Sequence, residues 1–199
     1  HINDLKLENI EAVIFDMDGT LLNSEIIHAQ ALLELLGSST ESLEGLLHDF
    51  VGVPEPEVFK SLLAKKIIPQ ISFNEFITLK NSTFRKILEN KKIVSKLIDK
   101  DMLELIQGIK EKNIMLALVT ASERETTQIF MDELGLAKYF DLILTRNDTE
   151  KTKPDPMPYL ESFKLLNIKP KQALIFEDSE TGLEAAVKSL ANVCKVSWY

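Results

Sequence analysis

Two carboxylates stand two residues apart in Val13-Ile14-Phe15-Asp16-Met17-Asp18-Gly19-Thr20. An apolar run rich in β-formers leads straight into them. Such a run, stopped by a turn signal, reads as a buried strand. Side chains alternate along an extended chain, so Asp16 and Asp18 share a side if the strand continues. Gly19 lets the chain turn sharply and brings backbone close to whatever the acids hold. Paired acids at the end of a buried strand repel unless a cation lies between them, and a hard divalent ion such as Mg²⁺ suits them. Taken alone, Asp-x-Asp-Gly reads equally as a turn that caps the next helix.

Further polar residues end other apolar runs. Ile114 to Val119 reads as a second strand, stopping at Thr120-Ala121-Ser122. Leu142 to Leu144 reads as a third, followed by the loop Lys153-Pro154-Asp155-Pro156. Ala173 to Phe176 reads as a fourth, stopping at Glu177-Asp178-Ser179, and Val193 to Val196 as a fifth. Helical patterns separate them, at about 102–113, 123–134, 157–166 and 181–190. Strands alternating with helices predict an α/β fold: a Rossmann-like, doubly wound, mainly parallel five-stranded sheet. Ligands of such sheets sit beyond the carboxyl ends of the strands. Asp16, Asp18, Thr120, Lys153, Glu177 and Asp178 are all expected there.

Those residue types suit phosphoryl transfer. A carboxylate can attack phosphorus and form a covalent intermediate, and Asp16 is the candidate. Asp18 can protonate the leaving oxygen and then activate water. Thr120 offers a hydroxyl with nearby backbone N–H groups, and Lys153 a fixed positive charge.

Between the first two strands no strand pattern appears. Helical periodicity covers Ile26 to Leu36, with Ser24 as N-cap and Gly37 as stop. Further helices are expected over 40–49, 57–66 and 73–90. The expected division is a catalytic core of residues 1–22 and 97–199 with an all-helical cap of residues 23–96.

The whole chain resembles the haloacid dehalogenase superfamily. Phe15-Asp16-Met17-Asp18-Gly19-Thr20-Leu21-Leu22 resembles its first motif. Thr120, Lys153-Pro154-Asp155-Pro156 and Phe176-Glu177-Asp178-Ser179-x-x-Gly182 resemble its other motifs, in order. The resemblance implies that Asp16 is the nucleophile and Asp18 the general acid/base. Thr120 and Lys153 would hold phosphate, with Gly19 and Ala121 also facing substrate. It implies Mg²⁺ on the Asp16 side chain, the Asp18 carbonyl oxygen and the Asp178 side chain, with Glu177 beside it or binding it directly. The helical insert resembles the cap of the β-phosphoglucomutase and phosphoglycolate-phosphatase branch, where His28 would meet substrate near the hinge. In that branch's mutases an arginine grips the second phosphate where Glu55 aligns. A carboxylate there is expected to repel phosphate, with His48 and Lys60 as the nearby bases.

These readings converge on a Mg²⁺-dependent phosphatase of small phosphorylated metabolites, such as sugar or glycolate phosphates. A phosphomutase and a catalytically silent binding protein are the alternatives. Net charge −8 without a strong basic block disfavours nucleic acid and acidic membranes as partners. No apolar stretch is long enough to span a membrane. Cys194 is the single cysteine, which suits a reducing cytoplasm and excludes an intrachain disulfide. A small buried role is expected for it. A monomer or weak dimer is expected. Arg124 is expected to pair with Glu125 or Gln128 or to touch phosphate, and Gly52 to end a helix.

Overall fold

The structure is a computed structural model that describes residues 7–37, 42–50, 53–98 and 100–198. Gly52, Tyr199 and the expected helix start at Thr40 lie outside the described residues. The chain forms two compact units, residues 1–23 with 96–199, and residues 24–95.

The first unit is built on five parallel strands, β1 (Ala12–Phe15), β2 (Met115–Val119), β3 (Leu142–Leu144), β4 (Ala173–Glu177) and β5 (Asn192–Lys195). Their spatial order is β3-β2-β1-β4-β5. β1 is therefore central, and every one of its residues is fully buried. A strand with parallel neighbours on both sides and helices on both faces needs a continuous apolar run, and Ala12-Val13-Ile14-Phe15 supplies it. Phe15 pairs with Leu118 on one side and Phe176 on the other. The Phe15 and Phe176 rings stack with centroids 4.9 Å apart. Chain order runs outward from β1 in one direction through β2 and β3, then resumes on its other side with β4. The crevice between β1 and β4 is thus the topological switch point, where open α/β sheets place ligands.

Four helices belong to this unit: α6 (Lys100–Glu111), α7 (Arg124–Glu133), α8 (Met157–Leu166) and α9 (Glu180–Lys188). Tyr159 and Phe163 of α8 and Ala185 and Ala186 of α9 pack with Ile14, Val119 and Ile175. Gly135 follows α7 with φ +62°, and α8 ends on Asn167 in the left-handed region. Cys194 is half-buried on β5, short of the fully buried role expected. β5 lies at the edge of the sheet, so one of its sides stays partly open.

The second unit contains α1 (Glu25–Leu36), α2 (Leu43–Phe50), α3 (Glu55–Ala64) and α4 (Phe73–Leu88). α5 (Lys91–Leu97) leads out of it. No strand occurs among its described residues. Its core gathers Leu32, Leu46, Val58, Phe59, Leu62 and Phe76. Ser72 opens α4 with a capping box, exchanging hydrogen bonds with Glu75. Gly37 ends α1 as expected, with φ +63° and its N–H on Leu33 and Glu34. Ser24 differs from expectation. It stands at the N-cap position of α1, but its backbone is already helical and its side chain makes no capping bond. Where the chain leaves and re-enters the first unit, Asn23 N–H donates to the Leu97 carbonyl at 2.8 Å. Among the described residues no helix is long and apolar enough to cross a membrane.

Candidate active site

The carboxyl ends of β1, β2 and β4 meet around one ammonium group. Lys153 Nζ donates to Asp16 Oδ1 at 2.6 Å, to Glu177 Oε1 at 2.5 Å and to the Val119 carbonyl at 2.9 Å. That uses all of its donors. Its side chain is only 4% exposed. Burial works against its charge, but Asp16, Tyr159 and Glu177 outweigh it and hold the Lys153 pKa well above its ordinary value. Lys153 is therefore a fixed cation.

Glu177 is fully buried and fully engaged. Besides Lys153, its Oε1 accepts from Tyr159 OH at 2.6 Å. Its Oε2 accepts from the Asp178 N–H at 3.2 Å and from Ser179 Oγ at 3.3 Å. Gly182, in the first turn of α9, is needed for this fit. A Cβ there would lie 2.1 Å from the Glu177 carboxylate.

After β1 the chain folds back on itself. Leu21 N–H bonds the Asp16 carbonyl, Leu22 N–H the Met17 carbonyl and Gly19 N–H the Leu22 carbonyl. Gly19 takes φ +78°, and a Cβ on it would lie 2.2 Å from Asp178 Oδ2. The loop backbone thus lies directly against that carboxylate. Thr20 Oγ1 donates to Asp178 Oδ1 at 2.7 Å.

Asp16, Glu177 and Asp178 each offer an oxygen within 4.8 Å of the others. Three acids against one ammonium leave an excess of negative charge. Burial raises the Asp16 pKa well above the ordinary range; Lys153 opposes this, and Glu177 and Asp18 add to it. Burial also raises that of Asp178, against the Thr20 hydrogen bond. A divalent cation among these oxygens would favour the charged forms. Among the described residues no side-chain donor is seen on Asp178 Oδ2, so it can serve as a ligand. The donor set is all oxygen, which suits a hard cation.

Asp18 is half-buried, and its Oδ2 accepts from Ser122 Oγ at 2.6 Å. Thr120 is buried, and its Oγ1 accepts from the Ser122 N–H at 3.0 Å. The turn after β2 thus serves two purposes, holding Thr120 in place and aiming Asp18. Ala121, between them, is half-buried.

Sequence reading missed Ser122 and Tyr159. Ser122 carried a signal, since Thr-x-Ser at a strand end can form a side-chain-to-backbone turn. Tyr159 carried none; a tyrosine on an amphipathic helix looks like ordinary core. Arg124 pairs with Asp148 at 2.6 Å, a partner the sequence did not suggest. The reason is spatial: Asp148 follows β3, beside the start of α7, and the backbone N–H of Arg124 also bonds Asn147.

His28 lies in the helical unit. There it meets two charged groups. Its Nδ1 is 3.3 Å from Glu55 Oε1 and 3.2 Å from Lys80 Nζ. Lys80 also bonds Glu55 Oε1 directly. Its side chain is 3% exposed. The expectation that Glu55 is a bare carboxylate attended by His48 and Lys60 is thereby corrected. His48 is exposed and pairs with Asp49, and Lys60 is exposed. The partner is Lys80, 25 residues along the chain, brought in by the packing of α4. Burial raises the Glu55 pKa, but Lys80 and His28 outweigh it and pull it down to about 2. The group as a whole is not anionic, so repulsion of phosphate by Glu55 does not follow.

The sequence matches the family described as haloacid dehalogenase-like hydrolase over residues 13–196. The chain belongs to this family. The phosphorylated carbohydrates phosphatase of Thermotoga maritima is 33% identical over 180 residues, covering 89% of this chain and 80% of that protein. Among solved structures, CbbY from Rhodobacter sphaeroides in complex with phosphate superposes with a TM-score of 0.81 at 23% identity, covering 96% of this chain and 87% of that one. The β-phosphoglucomutase of Clostridium difficile gives 0.72 at 22% identity, covering 92% and 83%. At those identities the two structures speak for the fold. The fold is the Rossmann-like one of this family, and the chain is an enzyme of a hydrolase family whose relatives are named as phosphatases.

Two outcomes follow from these contacts. Tyr159→Phe removes one donor to a buried carboxylate without changing shape, and should cost about 1.5–3 kcal/mol of stability. Urea unfolding at neutral pH measures it, and an unchanged midpoint would show that the phenol contributes nothing. Glu55 contributes stability in full above its ordinary pKa of 4.5, and loses it as pH falls towards about 2. The loss should approach about 3 kcal/mol by linkage. Comparing urea midpoints at pH 6 and pH 3, Glu55→Gln should show a smaller acid loss than the unaltered protein; equal losses would contradict the pairing.

Proposed function

We propose that this enzyme is a Mg²⁺-dependent phosphatase of small phosphorylated metabolites, sugar phosphates foremost, working through an aspartyl-phosphate at Asp16. One observation carries the reading. A buried carboxylate at the end of the central strand is held by a permanently charged lysine, with an acid aimed by a serine two residues further on. The relative named for phosphorylated carbohydrates supports the substrate class.

The chemistry follows from the residues. Lys153 holds one oxygen of Asp16 and leaves the other to act. That oxygen attacks phosphorus, an acyl phosphate forms, and the P–O bond to the metabolite breaks. The leaving alkoxide takes a proton from the Asp18 carboxyl group, which Ser122 keeps in place. Asp18, now a carboxylate, removes a proton from water as it attacks the aspartyl-phosphate. Phosphate leaves and Asp16 is regenerated. The Thr120 hydroxyl hydrogen and the Ala121 N–H are donors for the phosphoryl oxygens, while the Gly19 N–H already bonds the Leu22 carbonyl and leaves only its backbone surface to face substrate. Mg²⁺, held by Asp16, Asp178 and the Asp18 carbonyl with Glu177 beside them, would neutralise charge on the transferring group. Residues 24–95 would act as a cap that carries specificity, with His28 among its substrate-facing groups.

A phosphomutase is the second reading, favoured by the buried Lys80 beside His28 and Glu55. Such an enzyme must hold a second phosphate while the first is exchanged. Lys80 supplies charge but not the bidentate fork of an arginine, and two of its three donors already face Glu55 and His28. Water should therefore reach the acyl phosphate first.

Asp16→Asn should abolish phosphate release with the melting temperature retained, because an amide is a far poorer nucleophile. Substantial turnover by the folded variant would remove Asp16 from this role. Hexose 1-phosphate supplied with a bisphosphate activator should give free phosphate and little hexose 6-phosphate. Efficient isomer exchange with almost no free phosphate would establish the mutase instead.

A further inference from the structure

Trp198 is the one tryptophan of the chain. It lies beyond β5 and has no part in the chemistry above. Its indole Nε1–H donates to the Thr20 carbonyl at 3.1 Å. An indole N–H is a donor only, so the direction of this bond is fixed. Thr20 is 1% exposed, and its own hydroxyl donates to Asp178 Oδ1. One buried residue is thus gripped by Trp198 through its carbonyl and grips Asp178 through its side chain.

The far end of this connection is anchored as well. β5 pairs with β4 in register, Phe176 with Cys194 and Glu177 with Lys195. The Val196 N–H then donates to the Glu177 carbonyl at 2.9 Å. Residue 198 is therefore tied to the strand end that carries Asp178. The contacts close a ring: β4 to β5, β5 to Trp198, Trp198 to Thr20, Thr20 to Asp178, and Asp178 back to β4. The Gly19 backbone also lies against Asp178 with no room for a Cβ. A small displacement of residues 19–20 would therefore move the carboxylate.

We propose that Trp198 is a positioning residue for the metal site, holding the Asp178 carboxylate in place through Thr20. The proposal rests on the reading of Asp16 and Asp178 as ligands of a divalent cation. A ring of fixed contacts pre-organises a carboxylate ligand so that ordering it costs little on binding. An indole that merely fills space would support stability and leave cation affinity alone.

Calorimetric titration of the full chain with Mg²⁺ separates these roles. Trp198 is replaced by β-(3-benzothienyl)alanine, which keeps the ring shape and loses the N–H, and separately by Phe. Both variants should bind Mg²⁺ about three- to ten-fold more weakly, as expected for one lost hydrogen bond. The benzothienyl variant should keep its metal-free melting temperature. Thr20→Val should weaken binding too, and adding Trp198→Phe to it should cause no further loss, because groups acting in series are not additive. Unchanged Mg²⁺ affinity in both Trp198 variants, with binding abolished in Asp178→Ala, would overturn the proposal and leave the metal site standing. Additive losses in the double variant would also overturn it. Undiminished binding by Asp178→Ala would overturn the metal site itself and the proposal with it.

Discussion

A buried ammonium group cannot exist without partners, and Lys153 finds them on three neighbouring strands. Leaving such a charge unpaired in the interior would cost several kcal/mol. Its contacts to Asp16, the Val119 carbonyl and Glu177 therefore tie together the ends of β1, β2 and β4. Much of the rim is arranged around this constraint. Tyr159, otherwise a core residue of α8, turns its hydroxyl to Glu177. α9 begins close enough to Glu177 to demand glycine at residue 182. The lysine is held by acids on either side, and Asp16 can rely on a permanent positive charge.

The same economy of space appears at Gly19. Two glycines, from motifs at opposite ends of the chain, are both explained by carboxylates. Gly19 makes room for Asp178, and Gly182 makes room for Glu177. Close backbone approach removes water from one side of each acid. That strengthens every electrostatic interaction left inside and raises the cost of any acid that lacks a partner. The raised pKa of Asp16 and Asp178 is the signature of that cost. A divalent cation among them would relieve that cost.

The helical unit repeats the device on a smaller scale. Glu55 and Lys80 bury opposite charges beside His28, in a unit that also buries Asn81 and Thr83 among its aliphatic and aromatic side chains. Here the acid is held well below its ordinary pKa, since its two neighbours outweigh its burial. A buried ionic group of this kind is weak support for stability as such, compared with an apolar replacement of the same shape.

The sequence by itself determined the architecture and the chemistry-bearing set. Parallel strands buried on both sides must be near-continuous apolar runs, so β1, β2 and β4 could be read with their ends almost to the residue. Polar residues that stop such runs must lie on one rim, which is why Asp16, Asp18, Thr120, Glu177 and Asp178 could be grouped without coordinates. What only the tertiary structure decided are the pairings. Ser122 on Asp18, Tyr159 on Glu177, Lys80 on Glu55 and Trp198 on Thr20 join residues 18 to 178 positions apart. No periodicity links such residues, because which side chain meets which depends on strand order and helix packing, and these are properties of the assembled core. Ser24 makes the same point locally. Its type suits a helix cap, yet its backbone enters the helix one residue early, and the side chain has no capping bond to make.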